Sequence, residues 1–415
     1  MDFSFNEEQQ LLADTVRRFV RENYSFETRR AILASPEGWS REIWRQLAEL
    51  GITALAIPGR HGGVGTDAAT SAVEVMLVMN ALGEGLVLEP CLATAVIVPG
   101  LLAHLGDEKA SAELLPTIAA GERIIVLAHQ EPGTRGELDR VATRAKAADG
   151  HYVLDGHKSV IMHGDIADEW LVSARSDGED DTRSDGEDDT RSGGEGNTRS
   201  GAADRSESGI SVFRVDRGTP GVKVTGYRTL DGQRAADIEL NQVKIPAHRR
   251  VGEEGRAFAA IEAAHALGVS ALCAEAVGIM KAVIAATVDY TRNRKQFGVP
   301  IASFQVLQHR MADMFLHSEQ ALSMSYLAAI RCTDADVSER RRAVSAAKVV
   351  IGQAGRYVGQ EAIQLHGGMG MTDELIIGHY FKRLTAIDLS FGDTDFHIQR
   401  FIQASAEAGS RTSAA

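Results

Sequence analysis

The sequence predicts an α+β, multidomain chain: an all-helical N-terminal domain, a mostly antiparallel β domain in the middle, and a C-terminal four-helix bundle. Three observations predict it. Apolar residues recur at helical spacing up to Ala120. Short β-rich runs bounded by turn residues follow, from Gly121 to Pro246. Helical spacing then returns in four long stretches after Phe258. The expected bounds are 1–120, 121–246 and 247–405, with a flexible tail at 406–415.

The first helix carries Leu11, Leu12, Val16, Phe19 and Val20 on one face, and Asn6 and Gln9 stand where an N-cap and its capping-box partner belong. A second amphipathic helix is expected from near Ser40 through Ile43, Trp44 and Leu47, stopping at Gly51. Ile57 to Gly65 is a glycine-rich loop. No Lys-Ser/Thr follows it and no strand precedes it, so it is not a phosphate-binding P-loop. Long helices are expected over 67–83 and 93–120. The strand candidates are Ile124–Ala128, Tyr152–Leu154, Trp170–Val172 and Gly209–Phe213, with turns at Asp149-Gly150 and Asp155-Gly156. The bundle helices are expected over Phe258–Arg294, Phe304–Thr333, Ser338–Gly367 and Ala386–Ala406, joined up and down by short connections.

An octapeptide, Arg175 to Thr182, is repeated identically from Arg183, and a decayed copy begins at Arg191. Residues 175–199 hold four arginines and nine acidic residues, a net charge of -5, and no apolar side chain to bury. The stretch 175–201 is therefore expected to be a disordered surface insertion between two strands. Its Asp-Gly content suggests calcium, but it lacks the apolar position that packs each turn of a calcium-binding roll.

With 415 residues the chain has room for two or three domains, and its 44% hydrophobic content is that of a globular protein. A formal net charge of -13 argues against nucleic acid or an anionic membrane as partner. The N-terminal residues are acidic, without a basic, apolar leader, and no apolar run reaches the roughly 20 residues of a membrane span. Cys91, Cys273 and Cys332 are odd in number and widely spaced. That fits a reducing cytoplasm and leaves no His/Cys/Asp cluster with metal-ligand spacing.

Two segments carry the chemistry. Tyr290 to Gly298 (YTRNRKQFG) is followed by Phe304-Gln305, and Gln364 to Met371 reads QLHGGMGM. Arg294 offers a fork of charged donors suited to a pyrophosphate, Phe297 a flat apolar wall, and Gln305 and Gln364 paired donors and acceptors. Gly367 and Gly368 carry no Cβ, so backbone there can approach a nucleotide. The two segments, in this order and spacing, resemble the FAD-binding segments of the acyl-CoA dehydrogenases. The resemblance covers about residues 5 to 405. It implies the acyl-CoA dehydrogenase fold, FAD as cofactor, an acyl-CoA substrate and an electron-transfer flavoprotein as acceptor. The cofactor-binding set it implies is Arg294, Gln296, Phe297, Gln305, Gln364, Gly367, Gly368, Thr394, Gln130 and Met162. It also implies that Arg294 and Phe297 serve one subunit's FAD while Gln364 and the double glycine come from its neighbour, in a homodimer, a homotetramer or a heteromer with a related chain.

The family's reaction removes an α-proton to a carboxylate base and a β-hydrogen to the flavin. Counting back from Ile398-Gln399-Arg400 places Asp393 on the base position, whereas anchoring on Thr394 places Gly392 there and leaves no base. Asp393 as a cap of the next helix is the competing reading. The family's other base position falls on Gly268, and the arginine often next to it is Val269. The loop over the flavin reads Gln130-Glu131-Pro132 without the usual Gly-Ser-Asp. Val160-Ile161-Met162 stands where Trp-Ile-Thr is usual. Glu89 and Glu275 are spare acids away from the base position, and His366 and His397 read as supporting rather than catalytic. These departures resemble members acting on bulky, cyclic or dicarboxylic acyl-CoAs. They leave open a non-catalytic partner subunit, or a flavin monooxygenase or oxidase on the same fold.

Overall fold

The computed structural model describes residues 5–65, 72–176 and 207–412. The N-terminal helices are α1 (Glu7–Asn23), α2 (Phe26–Ala34), α3 (Arg41–Glu49), α4 (Ala72–Glu84), α5 (Val98–Leu105) and α6 (Glu108–Ala119). The Asn6–Gln9 capping box forms as expected, with the Gln9 N–H donating to Asn6 Oδ1 at 2.8 Å. Helix α2 was not anticipated. It is nine residues long, and it turns Arg29 inward to bond the Leu86 and Asp231 carbonyls, which reverses the polarity an amphipathic pattern needs. The helix expected over 93–120 is three pieces. A π-helical turn, Cys91–Ile97, runs into α5, and Gly106 at φ 68 ends α5 before Asp107 caps α6.

The strands are β1 (Ile125–Ala128), β2 (Arg144–Ala148), β3 (His151–Met162), β4 (Glu169–Ser176), β5 (Ile210–Asp216), β6 (Val222–Arg228), β7 (Arg234–Pro246) and β8 (Arg250–Val251). They form one sheet in the order β6-β7-β3-β2-β4-β5-β8, with β1 added in parallel to β4. Pairing is antiparallel apart from β1–β4 and a two-residue parallel contact of β2 with β4. Asp149-Gly150 makes the expected turn, but Asp155-Gly156 does not. It is a bulge inside β3, where a Cβ on Gly156 would lie 2.4 Å from Thr143 Oγ1. The insertion also begins later than expected. Arg175 and Ser176 close β4, and Arg175 is buried, bonding the carbonyls of Val141, Asp139 and Ser208. Most of the repeat lies outside the described residues.

The C-terminal region holds α7 (Phe258–Asn293), a small hairpin of β9 (Lys295–Gln296) and β10 (Val299–Pro300), α8 (Gln305–Arg331), α9 (Val337–His366), α10 (Ile376–Leu389) and α11 (Thr394–Thr412). The fourth bundle helix is therefore two helices, broken at 390–393. Phe391 (φ 59) and Gly392 (φ 96) are left-handed there, a backbone that cannot continue a helix. Helix α7 is long and apolar enough to cross a membrane, yet 67% of its apolar window is buried by the rest of the chain, the signature of a core helix. Its backbone meets that of α4 closely. A Cβ on Gly278 would lie 1.8 Å from the Asn80 carbonyl oxygen, so only glycine fits that crossing.

Candidate active site

A cavity of about 640 Å³ opens where the sheet meets the bundle. One side is the end of β1 with Gln130 and the end of β3 with Met162; the other is the start of α7, with Ile261 and His265, and the 389–393 loop. Apolar side chains dominate, among them Ile97, Leu127 and Leu389, as is usual for a small-molecule site.

Buried polar groups hold the loop after α10 in place. Lys348 Nζ donates to the carbonyls of Asp388 and Gly392 at 2.8 and 2.9 Å. His397, pushed down to about 3 by burial and the Lys348 charge, is neutral and lies 3.1 Å from the Phe391 carbonyl oxygen. The Thr394 hydroxyl donates to Asp388 Oδ1 at 2.8 Å. Thr394 is thus a buried brace of the loop and does not line the cavity. The loop so fixed places the Phe391 ring edge-on to His265, 5.3 Å between centroids, and a Cβ at Gly268 would meet that ring at 3.6 Å.

Three carboxylates line the cavity and each is committed. Asp393 is exposed at the rim, and its Oδ1 accepts the Phe396 N–H at 2.9 Å, so it caps α11. Glu137 pairs with Arg140 at 3.2 Å. Asp231 is buried against Arg383 at 2.7 Å; burial alone would push its carboxyl up, but the Arg383 charge and the Thr229 and Arg383 hydrogen bonds hold it down. Arg383 also grips Glu275 in a fork at 2.6 and 2.8 Å, tying α10 to α7 and to the loop before β7. The histidines of the cavity are neutral. His129 is pushed down to about 3 by burial and Lys158, and His265 is held well below its usual range by burial, with Arg400 and His397 adding to it.

Of the sequence-predicted residues, Gln130, Met162 and Asp393 meet at this cavity. The others meet elsewhere. Arg294 ends α7, 29 residues beyond His265, which is about 44 Å at 1.5 Å per residue. That is farther than one extended FAD can reach. Tyr290 stacks on His366 at 4.3 Å between centroids, so Arg294, Gln296, Phe297 and Gln305 share an end of the bundle with Gln364, Gly367 and Gly368. One chain thus carries both segments side by side. The whole group faces outward. Phe297 is 92% exposed, Arg294 has no ion pair among the described residues, and nothing lies within 4 Å of a Cβ built on Gly367 or Gly368. An uncompensated guanidinium beside an open aromatic face and bare backbone is a donor set that fits the pyrophosphate and rings of FAD.

A helical region, a sheet and a helical bundle thus follow one another in the chain, with a cavity at the sheet–bundle junction. Residues 6–122 match the acyl-CoA dehydrogenase N-terminal domain, and residues 258–405 match the acyl-CoA dehydrogenase C-terminal domain. The chain belongs to the acyl-CoA dehydrogenase family, FAD-dependent oxidoreductases acting on acyl-CoA. The acyl-CoA dehydrogenase FadE27 of Mycobacterium tuberculosis is 27% identical over 409 residues, covering 96% of this chain and 97% of the relative. The solved ChsE4-ChsE5 complex from Mycobacterium tuberculosis is 25% identical at a TM-score of 0.81, covering 98% of this chain and 99% of the other. Butyryl-CoA dehydrogenase from Megasphaera elsdenii shares the fold at a TM-score of 0.82 and 23% identity, covering 98% of this chain and all (100%) of the other.

Sequence reasoning missed Phe391 and the Arg383–Asp231–Glu275 cluster. Phe391 had a local signal, since Ser390-Phe391-Gly392 interrupts the helical spacing. The ion cluster had none, because its members come from three distant parts of the chain.

Proposed function

We propose that this chain serves the α,β-dehydrogenation of an acyl-CoA thioester to a 2,3-enoyl-CoA, electrons passing to an electron-transfer flavoprotein, as one subunit of an assembly with a related chain that carries the base. The observation behind this reading is the cavity wall: Phe391 faces Gly268, and every lining carboxylate is committed to a cap or an ion pair. When bound, FAD supplies the hydride acceptor. Arg294 and Gln305 would hold its pyrophosphate and polar edges and Phe297 would pack on it, while Gln130 and Met162 line the cavity face opposite the bundle. Because Arg294 lies about 44 Å from its own cavity, it is placed to serve a cofactor lying against another chain. Exposed Phe297, Phe304, Met369 and Met371 at the same end give that contact an apolar surface. The similarity to a complex of two named chains agrees with a heteromer. A cavity of about 640 Å³ with mostly apolar walls supports a bulky acyl group.

The test is to purify the chain alone and together with a base-bearing relative, then follow anaerobic flavin bleaching over an acyl-CoA panel. Bleaching only in the mixed assembly is the expected result; bleaching by this chain alone overturns the division of labour. Such a result favours the second reading, a self-sufficient dehydrogenase with Asp393 as base, for which the position of Asp393 on the cavity rim speaks. Oxygen uptake matching turnover would instead mark an oxidase or monooxygenase.

A further inference from the structure

Behind Phe391 and Met162 lies a second, smaller chamber of about 40 Å³, sharing with the acyl cavity the wall of Ala93, Ile97, Met162, Arg383 and Phe391. Glu89, His163 and Gln233 line it, each at least 95% buried. Glu89 Oε2, His163 Nδ1 and Gln233 Oε1 have no hydrogen-bond partner among the described residues.

The other atoms of these groups fix what each free atom is. His163 Nε2 lies 3.0 Å from the Leu88 carbonyl, which only accepts, so Nε2 carries the proton and Nδ1 presents a lone pair. Gln233 Nε2 donates to the Val87 carbonyl at 3.2 Å, which leaves its carbonyl oxygen facing the chamber. Glu89 Oε1 accepts the Ser40 N–H at 3.0 Å. Three acceptors therefore face one chamber, and the protein donor beside them is the Tyr24 hydroxyl, which lies at the Glu89 carboxyl. Buried polar atoms in folded proteins are paired, and the His163 and Gln233 acceptors find their donors in bound water and in a proton on Glu89. The chamber has room, since a water needs about 10–15 Å³ of such volume.

We propose that this chamber is a proton-holding site: the Glu89 carboxyl takes up a proton near neutral pH, shares hydrogen bonds with water held by His163 and Gln233, and exchanges its proton with the acyl cavity across their common wall. The surrounding charges favour the neutral acid. Arg383 is paired with Asp231 and Glu275, and the Arg29 donors go to the Leu86 and Asp231 carbonyls and to His379, so neither guanidinium bonds Glu89. The Tyr24 hydroxyl lies at the carboxyl and accepts the Leu88 N–H, and the nearby Cys91 thiol is pushed up by burial and stays protonated. His163 is pushed down to about 4 by burial and stays neutral. In line with the geometry, burial raises Glu89 to about 7 against the Ser40 hydrogen bond. The exchange with the acyl cavity rests on the acyl-CoA reading above. The protonated carboxyl does not.

Infrared difference spectra of the full chain, titrated from about pH 5 to 9, test the proton-holding half. The expected result is a buried carboxylic C=O band that vanishes as pH passes about 7 and is missing in Glu89→Gln. Spectra that do not differ between the two proteins overturn it. Gln233→Leu keeps Glu89 and removes one water ligand; it should move the midpoint of the band, and an unmoved midpoint refutes the shared water. Calorimetric titration with acyl-CoA in buffers of different ionisation heat tests the exchange. Binding to the wild type should move a fraction of a proton that Glu89→Gln does not, and equal proton counts overturn the coupling. If no acyl-CoA binds at all, the exchange fails together with the functional reading, and the infrared band alone decides the site.

Discussion

The two ends of α7, the cavity end and the end proposed to hold the cofactor, are built in opposite ways. At its start, His265 faces a cavity whose walls are fixed by buried pairs within the chain: Arg383 with Asp231 and Glu275, Lys348 with the loop carbonyls, His397 beneath Phe391. At its end, Arg294 and Phe297 stand exposed beside Gly367 and Gly368, with little of their own chain to touch. The first half is complete in one protomer and short of a free carboxylate. The second is rich in donors and apolar surface that the described residues of the chain leave uncovered. Substitutions in the first half should therefore be read out as stability, and in the second as cofactor affinity.

The largest effect is expected at Arg383. Replacing it by Leu leaves Asp231 and Glu275 as buried, unpaired carboxylates, a change that costs about 3–5 kcal/mol. Urea denaturation should show the loss directly, whereas Arg294→Ala should shift the midpoint by no more than an exposed substitution does, about 0.5 kcal/mol. Equal losses at the two arginines would erase the contrast between the two ends.

Next is Glu89, whose folded pKa of about 7 lies above its ordinary value of 4.5. A raised carboxyl supports the fold fully below its unfolded pKa and loses that support as pH rises through the folded one. Relative to Glu89→Gln, the wild type should therefore lose stability from about pH 4.5 to 8, by about 3 kcal/mol at about 1.4 kcal/mol per unit. Parallel stability–pH curves for the two proteins would place the ionisation elsewhere.

At the other end, Arg294→Ala should lower FAD affinity by more than about tenfold, the loss of one charge-assisted pair worth about 1.5–3 kcal/mol. Fluorescence titration of the deflavinated assembly measures it, with the melting curve unchanged. A variant that keeps FAD at wild-type affinity would remove Arg294 from the cofactor site.

The same division explains what could be read from the sequence. The far end could be proposed from the sequence because Arg294, Phe297 and the Gln364–Gly368 stretch lie in short local motifs. The α1 cap at Asn6 was legible for the same reason, being complete within four residues. Helix α2 was not, because Arg29 is buried on the face where an apolar residue would signal a helix. The break between α10 and α11 left only the weak signal of Ser390-Phe391-Gly392, because the φ of 59 at Phe391 that ends the helix is set by the buried bonds of the loop. The Arg383 cluster could not be read at all, since tertiary folding alone brings residues 231, 275 and 383 together.

The smallest effect is expected at Asp393, and it separates the two readings of the cavity most sharply. As a cap, Asp393 holds the Phe396 N–H, so Asp393→Ala should cost about 1 kcal/mol, and Asp393→Asn much less because Asn caps equally well. As a base, Asp393 would be lost equally in both variants, and Asn would slow flavin reduction by about 10²-fold or more. In the mixed assembly, Asp393→Asn is expected to reduce its flavin at the wild-type rate and to melt where the wild type does. Stopped-flow bleaching and a thermal scan on one preparation decide the matter. An undiminished rate leaves Asp393 as the helix cap its hydrogen bond describes. A hundredfold loss at an unchanged melting temperature would make it the base and this chain self-sufficient.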